Sequence, residues 1–338
     1  MVFEKLDGYL SAIETEMRNS VTATGNALAP FYGMISYHLG WVDESFSPGT
    51  QQSGKRLRPL LSLLSCEACG GDWHQALPAA ASIELIHNFS LIHDDIEDNS
   101  PQRRHRPTIW SLWGEAQAIN VGDGLFAVSR LALQRLSERG ISPAKVLRAF
   151  RIVDQTCLDL TEGQYLDLAF EEEECVTVEM YVEMIGRKTG ALMGCATQLG
   201  ALLGTDDEHA IENFRSFGHQ LGLLFQIVDD ILGIWGAGEA TGKGVGEDIV
   251  SRKKSLPVVY ALQQSDELAE IYRQEQMGVA EQRAVMDMLD SFSARDYAQS
   301  MASRHLRLAV DALAATRMQN QAQDSLREIA HFLLDRQY

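Results

Sequence analysis

The distribution of proline constrains the fold of this chain more than any other sequence feature. The 338 residues contain eight prolines; none lies between Pro143 and Pro257, and none follows Pro257. Because proline interrupts helix interiors and central strands, such stretches leave room for long helices. Few segments alternate apolar and polar residues with a period of two, so a sheet has little support. We therefore expect a single all-α domain over residues 1–338.

Helical periodicity and boundary residues indicate where the helices lie. The amphipathic pattern of residues 1–40 predicts one or two helices, and residues 43–54 form a polar loop. Pro59 suits the first turn of a helix over Leu57–Cys69, and Pro78 opens the next helix. Further helices are predicted over residues 111–139, 143–169, 177–203, 208–235 and 255–264, with more between 266 and 335.

The charge balance limits the partners of the chain. The 29 lysines and arginines against 47 aspartates and glutamates give a net charge of −18, which argues against nucleic acid or an anionic membrane surface as the main partner. The cations nevertheless occur in clusters, which suits a small polyanionic ligand; solvated helix faces are the alternative. These clusters contain Lys55, Arg56 and Arg58; Arg103, Arg104 and Arg106; and Arg252, Lys253 and Lys254.

The sequence shows no targeting or membrane signal. The N-terminal residues lack the charged and apolar regions of a signal peptide, and no apolar run is long enough for a membrane span. Five cysteines, an odd number, fit a reducing compartment, so we expect a cytoplasmic protein. Cys66 and Cys69 lack the further ligands of a zinc site and are interpreted as buried helix cysteines.

An apolar helix that ends in carboxylates is the strongest functional signal. Within Glu84–Asn99, Asp94 and Asp98 are four residues apart, so they project together about one helical turn, ~5.4 Å, apart, and Asp95 lies beside them. Such close carboxylates repel one another unless a cation lies between them. Hard oxygen ligands suit Mg²⁺, which also binds phosphate oxygens. A solvated helix end is the alternative, but the basic stretch that follows favours a metal–phosphate site above an apolar pocket.

A second acidic pair closes a similar apolar helix. Asp229 and Asp230 follow Phe225 in this helix. If the pair faces the first motif across a bundle, several carboxylates surround one cavity, where buried charges of one sign need a metal or an ion pair. The glycine-rich stretch Thr241–Asp248 lacks the P-loop pattern and is interpreted as a mobile flap that carries Lys243.

An ordered set of motifs runs over roughly residues 50–260. The set consists of Gly54-Lys-Arg-Leu-Arg-Pro59, Glu84-Leu-Ile-His87, Asp94-Asp-Ile-Glu-Asp98, Arg103-Arg104 with Pro107-Thr108, Gly122-Asp-Gly124, Glu162-Gly-Gln164, Lys188-Thr-Gly190, Phe225-Gln-Ile-Val-Asp-Asp230, Thr241-Gly-Lys243 and Lys253. Taken together, these motifs resemble those of the trans-prenyl diphosphate synthases, closest to the short-chain geranylgeranyl type. Asp-Asp-x-x-Asp alone is a weak signal, whereas the ordered set is specific.

The resemblance implies an all-α isoprenoid-synthase bundle around a central cavity, usually a homodimer. It also implies a prenyltransferase that condenses isopentenyl diphosphate head-to-tail with an allylic diphosphate, such as dimethylallyl, geranyl or farnesyl diphosphate. The implied cofactor is a trio of Mg²⁺ ions, for which Mn²⁺ can substitute. Residues 265–338 carry no motif, so helical packing or a dimer contact is expected there.

The roles that the resemblance assigns fall into three groups. The metal ligands are Asp94, Asp95, Asp98, Asp229 and Asp230. The residues at the allylic diphosphate and its developing cation are Arg103, Lys188, Thr189, Gln226, Lys243 and Lys253. The residues at isopentenyl diphosphate are Lys55, Arg58, His87 and Arg104.

Gly233 departs from the pattern of many relatives, which carry aspartate at the end of the second motif. Some short-chain members share this glycine, so it does not exclude activity. Metal binding at the second motif should then depend more on Asp229 and Asp230.

Product length is a question of packing below Asp94. The growing tail should run along the helix from Asp94 towards its N-terminus, with about one helical turn, ~5 Å, for each isoprene unit. Ser90, one turn below, is small, whereas Phe89 is bulky. In the family, an aromatic residue at the position of Phe89 alone goes with a C20 product. We therefore expect geranylgeranyl diphosphate, with farnesyl diphosphate as the second choice.

Three other functions remain open at this point. A class I terpene cyclase shares the metal chemistry but needs no site for a second diphosphate, which leaves Gly54–Pro59 unexplained. A non-catalytic synthase subunit should have lost an acidic motif, and only Gly233 points that way. A phosphohydrolase of the His-Asp type would use His93 and Asp94, but it leaves the second motif and the lysines without a role.

Overall fold

The structure, a computed structural model, describes residues 6–22, 25–49, 54, 56–236, 246–274 and 277–336. These residues are mainly helical, and their only strands form a short hairpin of β1 (Gln102–Arg103) and β2 (Arg106–Pro107). The prediction of an all-α fold is confirmed. The helices up to the middle of the chain are α1 (Asp7–Ser20), α2 (Ala29–His38), α3 (Leu57–Ala68), α4 (Leu77–Glu97), α5 (Ile109–Trp113), α6 (Glu115–Gln134) and α7 (Pro143–Glu172).

The second half of the chain continues the helical pattern. Its helices are α8 (Val178–Ile185), α9 (Ala191–Gly204), α10 (Glu208–Trp235), α11 (Glu247–Val250), α12 (Leu256–Leu262), α13 (Asp266–Tyr272), α14 (Val279–Ser291), α15 (Ala294–Ala315) and α16 (Gln321–Asp335). Most predicted helices are found close to their predicted bounds. No helix among the described residues combines the length and apolarity needed to cross a membrane.

The chain divides into two compact units, each assembled from separate segments. The first unit contains Met1–Asp154, Ala196–Ile211 and Met318–Ser325. The second contains Gln155–Cys195, Glu212–Arg317 and Leu326–Tyr338. That residues 1–338 form one domain stays a prediction.

Helix α4 is the central helix of the first unit. It packs against α6, α3 and α1, and every residue from Leu77 to Ile86 is buried. A helix that is apolar on all sides in this way has to be surrounded by others. Gly122 of α6 allows a close approach, because a side chain there would overlap the ring of His93 on α4. The last turns of α4 are less buried and carry the acidic motif.

The predicted helix over residues 177–203 is interrupted in the second unit. Between α8 and α9, Gly186–Gly190 forms a single π-helical turn that contains Lys188 and Thr189. Such turns insert an extra residue, re-aim the side chains around them and are frequent at functional sites. The periodicity of the sequence did not reveal this turn, because the flanking helices keep their own apolar faces.

The residues after position 265, which carried no readable motif, contribute to the core of the second unit. Leu268 of α13 and Leu289 of α14 are buried in one cluster with Ile234 of α10 and Val258 of α12. Helical packing, one of the two roles expected for this segment, is therefore confirmed.

Candidate active site

The first acidic motif lies at the carboxyl end of α4. The amide of Asp98 donates to the carbonyl oxygen of Asp94 at 2.9 Å, so these two residues are one helical turn apart, as the spacing predicts. Asp95 differs from the expected metal ligand because it is buried and accepts a hydrogen bond from Arg103 Nε at 2.7 Å. Burial raises the pKa of Asp95 to about 6 although Arg103 opposes the shift. Asp94 is half-buried and Asp98 is exposed, so both are more accessible to solvent than Asp95.

A tight hairpin, which the sequence analysis missed, positions Arg103. Its two turn residues, Arg104 and His105, have positive φ angles of 52° and 61°, as two-residue hairpin turns require. Tyr37 holds the second strand: its hydroxyl donates to the carbonyl oxygen of Pro107 at 2.8 Å, and the guanidinium of Arg106 lies over its ring. The hairpin thereby directs Arg103 back to α4.

Cations collect around the hairpin in the first unit. The pKa of His87 is lowered well below its ordinary value by burial and then by Arg58, Arg104 and other cationic neighbours. His38, which the sequence analysis did not single out, has its pKa lowered to about 3 by burial and the same group of arginines. A pocket among these groups is lined by Tyr37, His38, Leu91, Asp95, Arg103, Arg104, Arg106, Pro107 and Thr108. A pocket lined by several arginines attracts a polyanion, because charges of one sign in a cleft raise the local concentration of ligands of the opposite sign.

The glycine-rich start of the first basic motif contacts this group of cations. A side chain on Gly54 would overlap the guanidinium of Arg104, so glycine lets the backbone approach it. Arg56 has a different role from its neighbours: it is buried, and its Nη1 donates to Glu84 Oε1 at 2.9 Å. Arg56 is therefore structural, whereas burial lowers the pKa of Arg58 to about 10 with Arg104 adding to the shift. Lys55 lies outside the described residues.

The two carboxylates of the second acidic pair, Asp229 and Asp230, lie in different surroundings. Asp230 is completely buried and accepts hydrogen bonds from Tyr181, from Gln226 Nε2 at 3.2 Å and from the amide of Leu256 at 3.1 Å. Burial raises its pKa, although Lys253 and the hydrogen bonds oppose the shift. In this geometry Asp230 differs from an exposed metal ligand and instead anchors a network. Thr189 extends it by donating to Gln226 Oε1 at 3.1 Å.

The lysines predicted to bind diphosphate have separate partners in the second unit. Lys188 lies in the π-helical turn and pairs with Asp167 at 2.5 Å. Gly163 allows this arrangement, because a side chain there would overlap the backbone of Lys188. Lys253 acts electrostatically on Asp230, whereas Lys254 donates to main-chain carbonyls at the end of α7, including that of Phe170 at 2.7 Å. Lys243 and the stretch around it lie outside the described residues.

Asp229 is partly exposed and has a partner that the sequence analysis did not identify. Arg336, directly after α16, forms an ion pair with Asp229, and its guanidinium lies 4.3 Å from the ring centroid of Phe225. Asp229 and Phe225 are four residues apart on α10, so they present one surface to the arginine. The distance in sequence between Arg336 and this motif left no local signal.

Phe89 has an aromatic neighbour below the first acidic motif. Its ring lies 5.1 Å from that of Phe126 on α6, edge to face. The hydroxyl of Ser90 donates to the main-chain carbonyl of His87 at 2.9 Å, which leaves little polarity on that face. His93 packs edge-on against Phe89 and over Gly122.

The chemistry of the acidic residues fits a magnesium site. Asp94 and Asp98 offer hard carboxylate oxygens at the end of α4, where the helix dipole is also negative and favours a cation. In the second unit, Asp229 offers a carboxylate of its own, six residues before the end of α10. No three His, Cys, Asp or Glu side chains gather around one point within the part of the chain that the structure describes. Since Mg²⁺ keeps waters and takes substrate oxygens, it does not require such a protein cage.

An all-α fold with acidic helix ends and an arginine-rich pocket is typical of enzymes that act on prenyl diphosphates. The chain belongs to the polyprenyl synthetase family, whose sequence model matches residues 40–289. It is therefore an enzyme of the trans-prenyltransferase class, and the resemblance found in the sequence is confirmed.

Two relatives and one solved structure illustrate this similarity. The chain is 45% identical over 240 residues to a geranylgeranyl diphosphate synthase of Mycobacterium tuberculosis strain H37Rv, covering 71% of this chain and 67% of the relative. It is 36% identical over 312 residues to a (2E,6E)-farnesyl diphosphate synthase of the same strain, covering 90% and 86%. A polyprenyl synthetase from Streptomyces coelicolor A3(2) superposes with a TM-score of 0.89 at 35% identity, covering 98% of this chain and 99% of that one.

Proposed function

We propose that this enzyme condenses isopentenyl diphosphate head-to-tail with allylic diphosphates to make geranylgeranyl diphosphate. The observation that carries the proposal is the pairing of a cationic pocket with an acidic helix end in the first unit. Arg58, Arg104 and the neutral His87 suit the diphosphate of isopentenyl diphosphate, which stays attached in the product. The acidic end of α4 suits the diphosphate of the allylic substrate, which leaves during the reaction. A cyclase has no use for the first of these sites.

The metal ligands we propose are Asp94, Asp98 and Asp229, with Asp95 and Asp230 in supporting roles. Mg²⁺, as a trio of ions for which Mn²⁺ can substitute, would neutralise the diphosphate while its bond to the allylic carbon breaks. Arg103 and Lys188 form ion pairs with Asp95 and Asp167, and we propose that both cations would stabilise the leaving diphosphate. Lys55, Lys243 and Lys253 would contribute in the same way.

The chain's own residues also account for the organic half of the reaction. Gln226 donates to Asp230 and Thr189 donates to Gln226, so the directions of their dipoles are fixed. We propose that these dipoles would stabilise the allylic cation. The double bond of isopentenyl diphosphate attacks that cation, and the released diphosphate is the base we propose for the proton that leaves. Phe89 and Phe126 together would block the space along α4 into which the growing tail extends, which supports a C20 product.

We also propose a cytoplasmic homodimer. Large apolar side chains are exposed on α6 and α7, among them Leu131 (61% exposed) and Leu147 (74% exposed). Large exposed apolar patches mark protein interfaces in soluble proteins, and we propose that these side chains belong to one. Sedimentation of the purified protein tests the dimer directly.

A single incubation separates the candidate functions. Purified protein is given isopentenyl diphosphate, dimethylallyl diphosphate and Mg²⁺, and its products are identified by chromatography. We expect geranylgeranyl diphosphate, and no product after chelation of the metal. Farnesyl diphosphate as the end product would support the second choice. A cyclised hydrocarbon, free phosphate from a lone substrate or no reaction would indicate a cyclase, a phosphohydrolase or a non-catalytic subunit, respectively.

A further inference from the structure

Arg336 occupies the position from which a cation would neutralise Asp229. Its side chain is nine-tenths buried, at 10% exposure, while that of Asp229 is 40% exposed. Its guanidinium packs over Phe225, so aromatic contact and ion pairing both hold it at this place. The arginine is therefore built into the second motif rather than resting on it.

The surroundings of Arg336 compensate its charge incompletely. Within the described residues, Nε and Nη2 are buried without a hydrogen-bond acceptor, so the contact with Asp229 is an ion pair without good hydrogen-bond alignment. Burial lowers the pKa of Arg336 to about 10. Burying a charge without full hydrogen-bond compensation costs free energy, so a cation that binds Asp229 more favourably than Arg336 does can replace it.

A divalent ion and Arg336 compete for the same carboxylate. The side chain of Asp229 is 40% exposed, and an ion that approaches it meets the positive charge of the Arg336 guanidinium. We propose that Arg336 is a resident counter-ion of Asp229, which divalent metal must displace when it binds the second acidic motif. The inference rests on the proposed metal-binding role of Asp229. By reciprocity, removing the arginine strengthens metal binding as much as the metal weakens the ion pair.

The test measures metal binding rather than turnover. Mn²⁺ binding to the full chain is titrated by electron paramagnetic resonance, first without and then with inorganic pyrophosphate. Arg336→Gln should tighten Mn²⁺ binding by about two- to fivefold, the range expected when one partly exposed ion pair is removed. Arg336→Lys, which keeps the charge, should stay near the wild-type affinity. Arg307→Gln, the loss of an exposed arginine on α15, corrects for the change in net charge.

The same titrations contain the outcomes that overturn the inference. The gain in Arg336→Gln should vanish when Asp229→Asn is added, because both changes act on one pair. Unchanged Mn²⁺ affinity in Arg336→Gln would overturn the displacement model. Weaker binding, seen only with pyrophosphate, would also overturn it and make Arg336 a phosphate ligand. If wild-type protein binds no Mn²⁺ and Asp94→Asn and Asp229→Asn change nothing, the proposed metal site itself is wrong.

Discussion

Gly233 and Asp248 are in direct contact: any side chain on Gly233 would overlap the carboxylate of Asp248. Gly233 lies near the end of α10, and Asp248 is buried on the short helix α11. Burial raises the pKa of the Tyr272 hydroxyl, and the negative charge of Asp248 raises it further. The glycine that departs from the family's second acidic motif therefore makes room for another carboxylate.

Restoring the missing aspartate should consequently damage the protein. Gly233→Ala should lower the free energy of unfolding by about 1–3 kcal/mol through overpacking, and Gly233→Asp should lower it further because two carboxylates would then share the space. Urea unfolding measures both changes. Gly8→Ala is the matched control, because a side chain at Gly8 meets no atom within 4 Å. In the Gly233→Ala/Asp248→Ala double variant, a loss equal to the sum of the single losses would contradict the contact.

Two arginines of the same motif should respond differently to substitution. Arg56→Gln leaves Glu84 buried without its ion pair and should cost about 3–5 kcal/mol of stability. Arg58→Gln should leave the unfolding temperature nearly unchanged but raise KM for isopentenyl diphosphate by about 10- to 100-fold, as expected for a lost charge-assisted hydrogen bond. Thermal unfolding and steady-state kinetics are measured on both variants. A large loss of stability in Arg58→Gln with unchanged KM would reverse the two roles.

The aromatic pair below Asp94 should set product length. Phe89→Ala and Phe126→Ala should each lengthen the products by at least about one isoprene unit, since each unit needs roughly one helical turn, ~5 Å. Ser90→Phe should shorten the product towards farnesyl diphosphate. Chromatography of the dephosphorylated products gives the spectrum, and Val279→Ala, at an exposed position, is the control. An unchanged distribution of product lengths in both phenylalanine variants would show that other residues limit the chain length.

Acid should destabilise the protein through its buried neutral histidines. Burial lowers the pKa of His305 to about 4, with Arg304 adding to the shift. Above the unfolded pKa of about 6.5 the residue is neutral in both states and contributes nothing. Below about pH 6.5, His305 is protonated in the unfolded chain but stays neutral in the folded protein. The free energy of unfolding therefore falls as the pH is lowered, until the pKa of the folded state is reached.

A single substitution isolates this histidine. In His305→Gln, the loss of stability between pH 7.5 and pH 5.5 should be smaller than in wild type by about 1.4 kcal/mol. Urea unfolding at the two pH values measures the difference, and His331→Gln, at an exposed position on α16, is the control. An equal loss in His305→Gln and wild type would show that other groups carry the acid sensitivity.

The local pattern of the sequence was sufficient for the helices and for the chemistry of the acidic motif. The helix over Leu57–Cys69 ends within one residue of its predicted end, because an interrupted apolar face and a pair of glycines mark it locally. The one-turn spacing of Asp94 and Asp98 follows from helical geometry alone. The sequence analysis did not predict two features, the π-helical turn at Gly186–Gly190 and the hairpin at Arg103–Arg106, because neither disturbs the periodicity of the residues around it.

By itself, the sequence determined an all-α fold, the paired carboxylates on two helices and membership of one enzyme family, because these depend on residues a few positions apart. Only the tertiary structure decided which charges already have protein partners. Asp95 and Asp230 are held by Arg103 and Tyr181, and Arg336 reaches Asp229 from more than a hundred residues away. The energy of a charge depends on all the groups that surround it in the folded protein, and many of these are distant in sequence, so the local sequence does not reveal them.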